Sequence, residues 1–245
     1  MTTASGRILV GTSGWSYDHW TGPFYPEDLQ DEQQLAFCAE RFPSVEINNS
    51  FYQLPSAEKL ETWREAVPQD FVFAVKASRY ITHMKKLKDA DEGVSRFMAR
   101  LDPLQGKLGP LLFQLPPNWH CDHERLETFM QALDGKQRHV IEFRDRSWIN
   151  EKTCELLAGH GVAFCIYELD GFETPRTVTT DFVYIRLHGP DAPYEGCYDD
   201  QSLAGWAGAL SAWARQGLDA YCYFDNDQDA YAALNAARLQ QMLSD

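Results

Sequence analysis

Residues 139–158 read HVIEFRDRSWINEKTCELLA, and this stretch contains the unit from which the whole chain is built. Val140–Phe143 is a β-branched and aromatic run of buried-strand length, a polar turn follows, and Glu151–Ala158 then carries apolar residues at helical spacing. The charges in and beside the run fix how the strand is used. Val140, Glu142 and Arg144 share one face of an extended chain, while Ile141 and Phe143 share the other. Two charged side chains cannot lie unpaired against a helix layer, so their face must turn toward an enclosed lumen.

The same grammar recurs on both sides. Runs of this kind stand at Ile8–Val10, Val45–Ile47, Phe71–Ala77, Leu111–Leu115, Val162–Tyr167, Phe182–Leu187 and Ala220–Phe224, which with Val140–Phe143 makes eight candidate strands. Helical patterns separate them at Gln33–Arg41, Ala57–Val67 (with Ser56 as N-cap), Gly93–Leu101, Glu124–Leu133 and Leu203–Ala214, and Tyr231–Leu243 closes the chain. Only Asp170–Asp181, with Pro175 and its threonines, lacks a helical period. The pattern predicts an α/β fold, a parallel eight-stranded (β/α)8 TIM barrel over residues 1–245 as a single domain, with the crossover helix between strands six and seven missing or degenerate. An open doubly wound sheet would announce a glycine-rich turn opening a helix; here Gly11-Thr-Ser-Gly14 runs into Trp15-Ser-Tyr-Asp and then Pro23.

Composition narrows the function. With 22 Lys+Arg against 36 Asp+Glu the chain carries −14, which opposes phosphate backbones and anionic lipid surfaces and so weighs against nucleic-acid and membrane partners. No run approaches the ~18 apolar residues of a membrane span. The six cysteines are dispersed without a C-x-x-C pair, as in a reducing compartment, and no targeting signal is visible; the expected location is the cytoplasm.

Extending the alternation to the other strands gathers polar residues at one height, at the C-terminal strand ends where barrel enzymes keep their sites. Tyr184, Arg186 and His188 point inward against Val183, Ile185 and Leu187, and Lys76 points inward with Ala74 and Val72. Glu46 and Asn48, Gln114, and Tyr221, Tyr223 and Asp225 come from three further strands. A structural charged layer would explain any one of these; six strands converging favour a ligand site. Glu46, Glu142 and Asp225 balance Lys76, Arg144 and Arg186, so the floor is near neutral and the acidity lies elsewhere. Forked guanidinium groups held by carboxylates suit an anion such as phosphate or carboxylate.

The reading therefore assigns catalysis to Glu142, His188 and Asp225, and substrate binding to Lys76, Arg144, Arg186, Glu46, Asn48 and Gln114, joined at the rim by Trp15, Tyr17, Tyr52, Arg79, His83, Trp148 and Asn226. No cofactor is required. Glu46, Glu142, His188 and Asp225 could together ligate a divalent metal, but three cations at the same height oppose one. His120-Cys-Asp-His123 lacks the second spaced pair of a zinc site and reads as a loop entering a helix. Gly11–Gly14 could cradle a phosphate or simply make a tight strand-end turn. The aromatic loop Trp15–Tyr25 is either a packed lid or a stacking surface.

Taken together, GTSGWSYDHWTGPFYP from Gly11, VEINNSFYQLP from Val45, FVFAVKASRYITH from Phe71, LGPLLFQLPP from Leu108, EFRDRSW from Glu142, FVYIRLHG from Phe182 and YFDND from Tyr223 resemble the YecE-like family, domain-of-unknown-function family 72. The resemblance spans nearly the whole chain and implies a TIM barrel; it brings no established activity. Asp225, Gln53 and Asn49 depart from the family pattern, which favours asparagine, arginine and a small residue there, and the extra carboxylate at Asp225 bears directly on the floor. Three functions follow. The first is an enzyme, a hydrolase or lyase, or a binding barrel for a small anionic substrate. The second is a metal-assisted phosphodiesterase resembling the endonuclease IV and sugar-isomerase barrels. The third is an interaction protein using Trp15–Tyr25.

Overall fold

The computed structural model describes residues 5–244. Eight parallel strands make a nearly closed barrel: β1 (Ile8–Thr12), β2 (Ser44–Ile47), β3 (Val72–Lys76), β4 (Leu108–Gln114), β5 (His139–Glu142), β6 (Ala163–Leu169), β8 (Phe182–Leu187) and β9 (Asp219–Phe224). A two-residue strand, β7 (Phe172–Glu173), folds back antiparallel on β6. The hydrogen-bonded order is β1-β9-β8-β6-β5-β4-β3-β2. At the β1/β2 seam the ring is joined by a single parallel bridge, Ser13 with Glu46.

Gly11 explains how the seam closes. A Cβ there would lie 1.9 Å from the Ser44 carbonyl oxygen, so only glycine admits this approach of β2. Across the same gap Ser44 Oγ meets the Tyr223 hydroxyl at 2.6 Å.

Among the described residues seven α-helices pack outside: α1 (Gln34–Ala39), α2 (Ala57–Glu65), α3 (Ala90–Leu101), α4 (His123–Gln131), α5 (Glu151–Gly159), α6 (Asp200–Arg215) and α7 (Tyr231–Ser244). Side-chain caps start four of them, with Ser56, Asp122, Asn150 and Asp199 accepting from the third backbone N–H beyond each. Between β6 and β8 a hairpin replaces the helix, as the lost periodicity predicts. Its threonines dock the segment on β6: Thr179 Oγ1 donates to the Val162 carbonyl at 2.7 Å, and Thr174 Oγ1 accepts from the Tyr167 N–H at 3.0 Å.

The strand alternation holds throughout. Leu9, Ala74, Leu112, Val140, Cys165, Tyr184, Tyr221 and Tyr223 fill the lumen. Val45, Val75, Phe113, Ile141, Phe143, Ile185 and Phe224 face the helices, in a second and larger apolar shell. Each fully buried Leu, Ile or Phe contributes roughly 1.5–3 kcal/mol, so this shell is what holds the wall rigid beneath the mouth. At the N-terminal end the lumen is stopped by Arg138, whose Nη1 donates to Asp219 Oδ2 and to the Tyr221 hydroxyl, both at 2.7 Å.

Candidate functional site

Arg186, near the end of β8, is completely buried at the centre of the C-terminal mouth. Its Nε and Nη2 donate to Glu46, with Nη2 at 2.8 Å from Oε1; Nη2 also reaches Asp225 Oδ2 at 2.7 Å, and Nη1 reaches Glu142 Oε2 at 3.0 Å. Nη1 lies 3.2 Å from His188 Nε2. A guanidinium has five N–H groups, and every nitrogen here is engaged within the protein. Glu46 is fixed further by Ser13 Oγ at 2.6 Å and by the Tyr184 hydroxyl at 2.5 Å.

Around this hub the strand ends interlock. Arg144 Nε pairs with Glu142 Oε1, and Arg144 Nη2 lies 3.0 Å from His188 Nε2. His188 Nε2 thus faces N–H groups of two arginines, and its Nδ1 lies 3.0 Å from Asp225 Oδ2. Burial alone would raise the Glu142 carboxyl, but the Arg144 and Arg186 guanidinium groups and His188 outweigh it and hold it well below the usual carboxylate range. Asp225 behaves likewise: burial opposes its charge, while Arg186, His188 and Lys76 lower it below its ordinary value.

The β2–β4 side of the mouth differs. Lys76 Nζ makes no hydrogen bond or ion pair among the described residues and rests 4.7 Å from the centre of the Phe51 ring. Burial, and next the Arg186 charge, lower its ammonium from the ordinary value, against the pull of Glu142, Asp225 and Glu46. Asn48 Oδ1 and Gln114 Oε1 are buried without a partner among the described residues. Asn48 Nδ2 makes only a long contact, 3.5 Å, to Asp225 Oδ1.

The rim follows the same division. Arg79 is exposed, with its guanidinium 5.9 Å from the Tyr52 ring, and Tyr52 itself is exposed. His83 packs against Phe51, and its imidazole is lowered by burial and then by Lys76, Arg79 and Arg144. Across the mouth the Tyr17 phenol is raised by burial and then by Asp225, Asp227 and Glu46. The mouth is therefore electropositive at β3 and electronegative at β1 and β9.

Several expectations need correcting. Trp148 is wholly buried, stacked on Phe143 with its Nε1 donating to the Trp119 carbonyl, so it belongs to the outer shell rather than the mouth. Asn226 is also buried and clasps the Gly196 carbonyl and Asn235. Arg186, Glu142 and His188 lie together on the floor, where they have no exposed surface and bond one another. Lys76, Arg144, Asn48 and Gln114 keep partial exposure beside them, and Asp225 keeps a little. The Gly11–Gly14 turn presents no phosphate cradle: the Ser13 and Gly14 N–H groups donate to the Phe224 and Glu46 carbonyls. Trp20 and Tyr25 of the aromatic loop are buried, and Trp15 packs edge-on against Trp63.

Three groups escaped the strand reading. Ser13 lies just past β1; Tyr167 is an inward β6 residue whose ring lies 5.1 Å from the Arg144 guanidinium. Tyr194 hangs from the loop after β8 with φ of +70°, its ring 5.6 Å from His188. Parity marks Tyr167, whereas nothing local marks Tyr194.

Among the described residues no three His, Cys, Asp or Glu side chains are placed to hold a metal ion. The lone pairs of Glu46, Glu142 and Asp225 are directed to guanidinium groups instead. His123 at the start of α4 bonds Thr153, and Asp122 caps the helix. A cleft of about 750 Å³ adjoins the mouth, walled by Trp15, Trp63 and Leu35 and rimmed by Asp31, Glu32 and Glu58; Asn48 and Tyr17 link it to the floor.

Known proteins share this architecture. A crystal structure of a DUF72 family protein from Thermotoga maritima superposes with a TM-score of 0.89 at 30% identity, covering 98% of this chain and 100% of that one. One from Enterococcus faecalis gives 0.81 at 21% identity, covering 97% and 95%. The UPF0759 protein YunF of Bacillus subtilis is 26% identical over 96% of this chain and 94% of its own length. The family model described as "Protein of unknown function DUF72" matches residues 9–245, and the chain belongs to that family.

Proposed function

We propose that the protein binds a small phosphorylated or carboxylated molecule at the C-terminal mouth and acts on it by acid/base chemistry. One observation carries this reading. All three floor carboxylates are held by Arg186, while Lys76 and Arg79 have no carboxylate partner among the described residues. An unpaired cation in a partly enclosed mouth favours an anionic ligand.

The roles divide by exposure. Lys76, Arg79 and Arg144 meet the anion, and Asn48 Oδ1 and Gln114 Oε1 are acceptors without partners among the described residues that suit a hydroxyl or other donor on the same molecule. Asp225 Oδ1 is the carboxylate oxygen free to take a proton, since Oδ2 is fixed by Arg186 and His188. Glu142, His188, Arg186 and Glu46 are positioning residues behind it. The acidic exterior restricts the ligand to a small molecule, and the six free cysteines suit the cytoplasm.

Calorimetric titration with inorganic phosphate and with malonate tests the reading. Wild type should bind at least one of them, and the double variant Lys76→Met, Arg79→Met should lose about tenfold or more in affinity, the ~1.4 kcal/mol expected of lost charge-assisted contacts. No binding of either anion, or equal binding by the variant, overturns it.

A further inference from the structure

Among the described residues two lysines differ sharply in their surroundings, the buried Lys107 and the half-buried Lys76. Lys107 is anchored: its Nζ donates to the Arg64 carbonyl at 2.6 Å and to the Val67 carbonyl at 2.7 Å. Lys76 has no such anchor among the described residues, although its own backbone carbonyl is fixed by Ser50 Oγ at 2.6 Å. Anchoring explains Lys107 as structure; no comparable explanation covers Lys76.

We propose that Lys76 is a nucleophilic amine that forms an imine with the carbonyl carbon of a small anionic oxo compound, a 2-oxo acid in the simplest case. The inference rests on the anion site proposed above, with Arg79 and Arg144 holding the anionic group.

Its surroundings are those that activate an amine. A lysine becomes a nucleophile when it is desolvated or set beside another cation, because both favour the neutral form. Phe51 covers Nζ on one side, and Arg186 supplies the neighbouring charge. The carboxylates that would restore the ammonium are bound to Arg186. The same aromatic face stabilises the cationic product.

The step balances. The amine nitrogen adds to the carbonyl carbon, the C–O bond breaks, the oxygen leaves as water, and one proton from solvent remains on the iminium nitrogen. The iminium withdraws electrons from the neighbouring carbon and acidifies its C–H. Asp225, whose low proton affinity makes it a weak base, needs a substrate proton acidified in this way.

Reductive trapping tests the proposal on the wild-type protein. Incubation with glyoxylate and cyanoborohydride at neutral pH, followed by peptide mapping, should find carboxymethyl-lysine at Lys76 about tenfold sooner than at the exposed Lys88 and Lys136. Lys76→Met should lose the fast phase alone. Labelling that does not favour Lys76 overturns the inference even where phosphate or malonate binds, so the anion site survives separately. If acetaldehyde labels Lys76 as fast as glyoxylate, the imine stands and the anion site falls.

Discussion

Arg138 and Arg186 stand at opposite ends of the same lumen and do different work. Arg138, at the N-terminal end, keeps a third of its side chain in water and has one carboxylate, one phenol and the faces of Phe182 and Tyr221 for neighbours. Arg186, at the C-terminal end, has no exposed surface and holds three carboxylates. The first is an ordinary stopper, partly solvated and inexpensive to form. The second takes four charges out of water, and such a network seldom exceeds an apolar plug in stability. What it supplies is position: Glu46, Glu142 and Asp225 are fixed in an enclosed mouth, and Asp225 Oδ1 is left with only the long contact from Asn48.

Truncating each arginine tests the contrast most strongly. Arg186→Met should cost about 3–5 kcal/mol, because the buried Glu46 and Asp225 carboxylates lose their guanidinium partner and Glu142 keeps only Arg144. Arg138→Met should cost about 1 kcal/mol after allowance for its solvation. Urea unfolding of both variants measures the gap; equal losses would erase the distinction between the two ends.

Acid sharpens it next. Glu142 and Asp225 have folded values below their unfolded ones, so their contribution is complete above about pH 4 and is lost as the pH falls through the lower folded values. Asp219 at the other end is lowered too: burial opposes its charge, but its bonds from Arg7 and Arg138 prevail. Unfolding free energies measured from pH 7 to 2 should therefore decline below about pH 4, and Glu142→Gln should flatten that decline more than Asp219→Asn.

The smallest effect has the opposite sign. Lys76 is a partly enclosed cation whose folded value is lowered, so at neutral pH its charge opposes folding. Lys76→Met should leave stability unchanged or raise it by up to about 1 kcal/mol, read as a higher urea midpoint with the same slope. A loss comparable to that of Arg186→Met would make Lys76 part of the structural network.

Much of this was legible before any coordinates. Period-two alternation placed Glu142 and Arg144 inward against Ile141 and Phe143, and did the same for Arg186 and His188, because a charge next to the helix layer has no partner. The pattern fails where the strand stops. Trp148 and Asn226 lie beyond Glu142 and Phe224, the last residues of β5 and β9, and their side chains follow turn geometry instead. Arg138 stands one residue before β5, at the end opposite the mouth. The saturation of Arg186 was illegible for another reason: its partners are 140, 44 and 39 residues away in sequence. Alternation says which way a side chain points, but not how many neighbours it finds there.

The seam between β1 and β2 has a wider consequence. Backbone pairing there amounts to one bridge, and its second residue, Glu46, is the carboxylate most heavily bonded to Arg186. The ring is therefore fastened by a side-chain clasp more than by its ladder. Assembly of the mouth and completion of the barrel become one event: a chain with its strands laid down but its first and second unjoined would have neither a closed wall nor an organised floor. The chemistry waits for the last link of the fold.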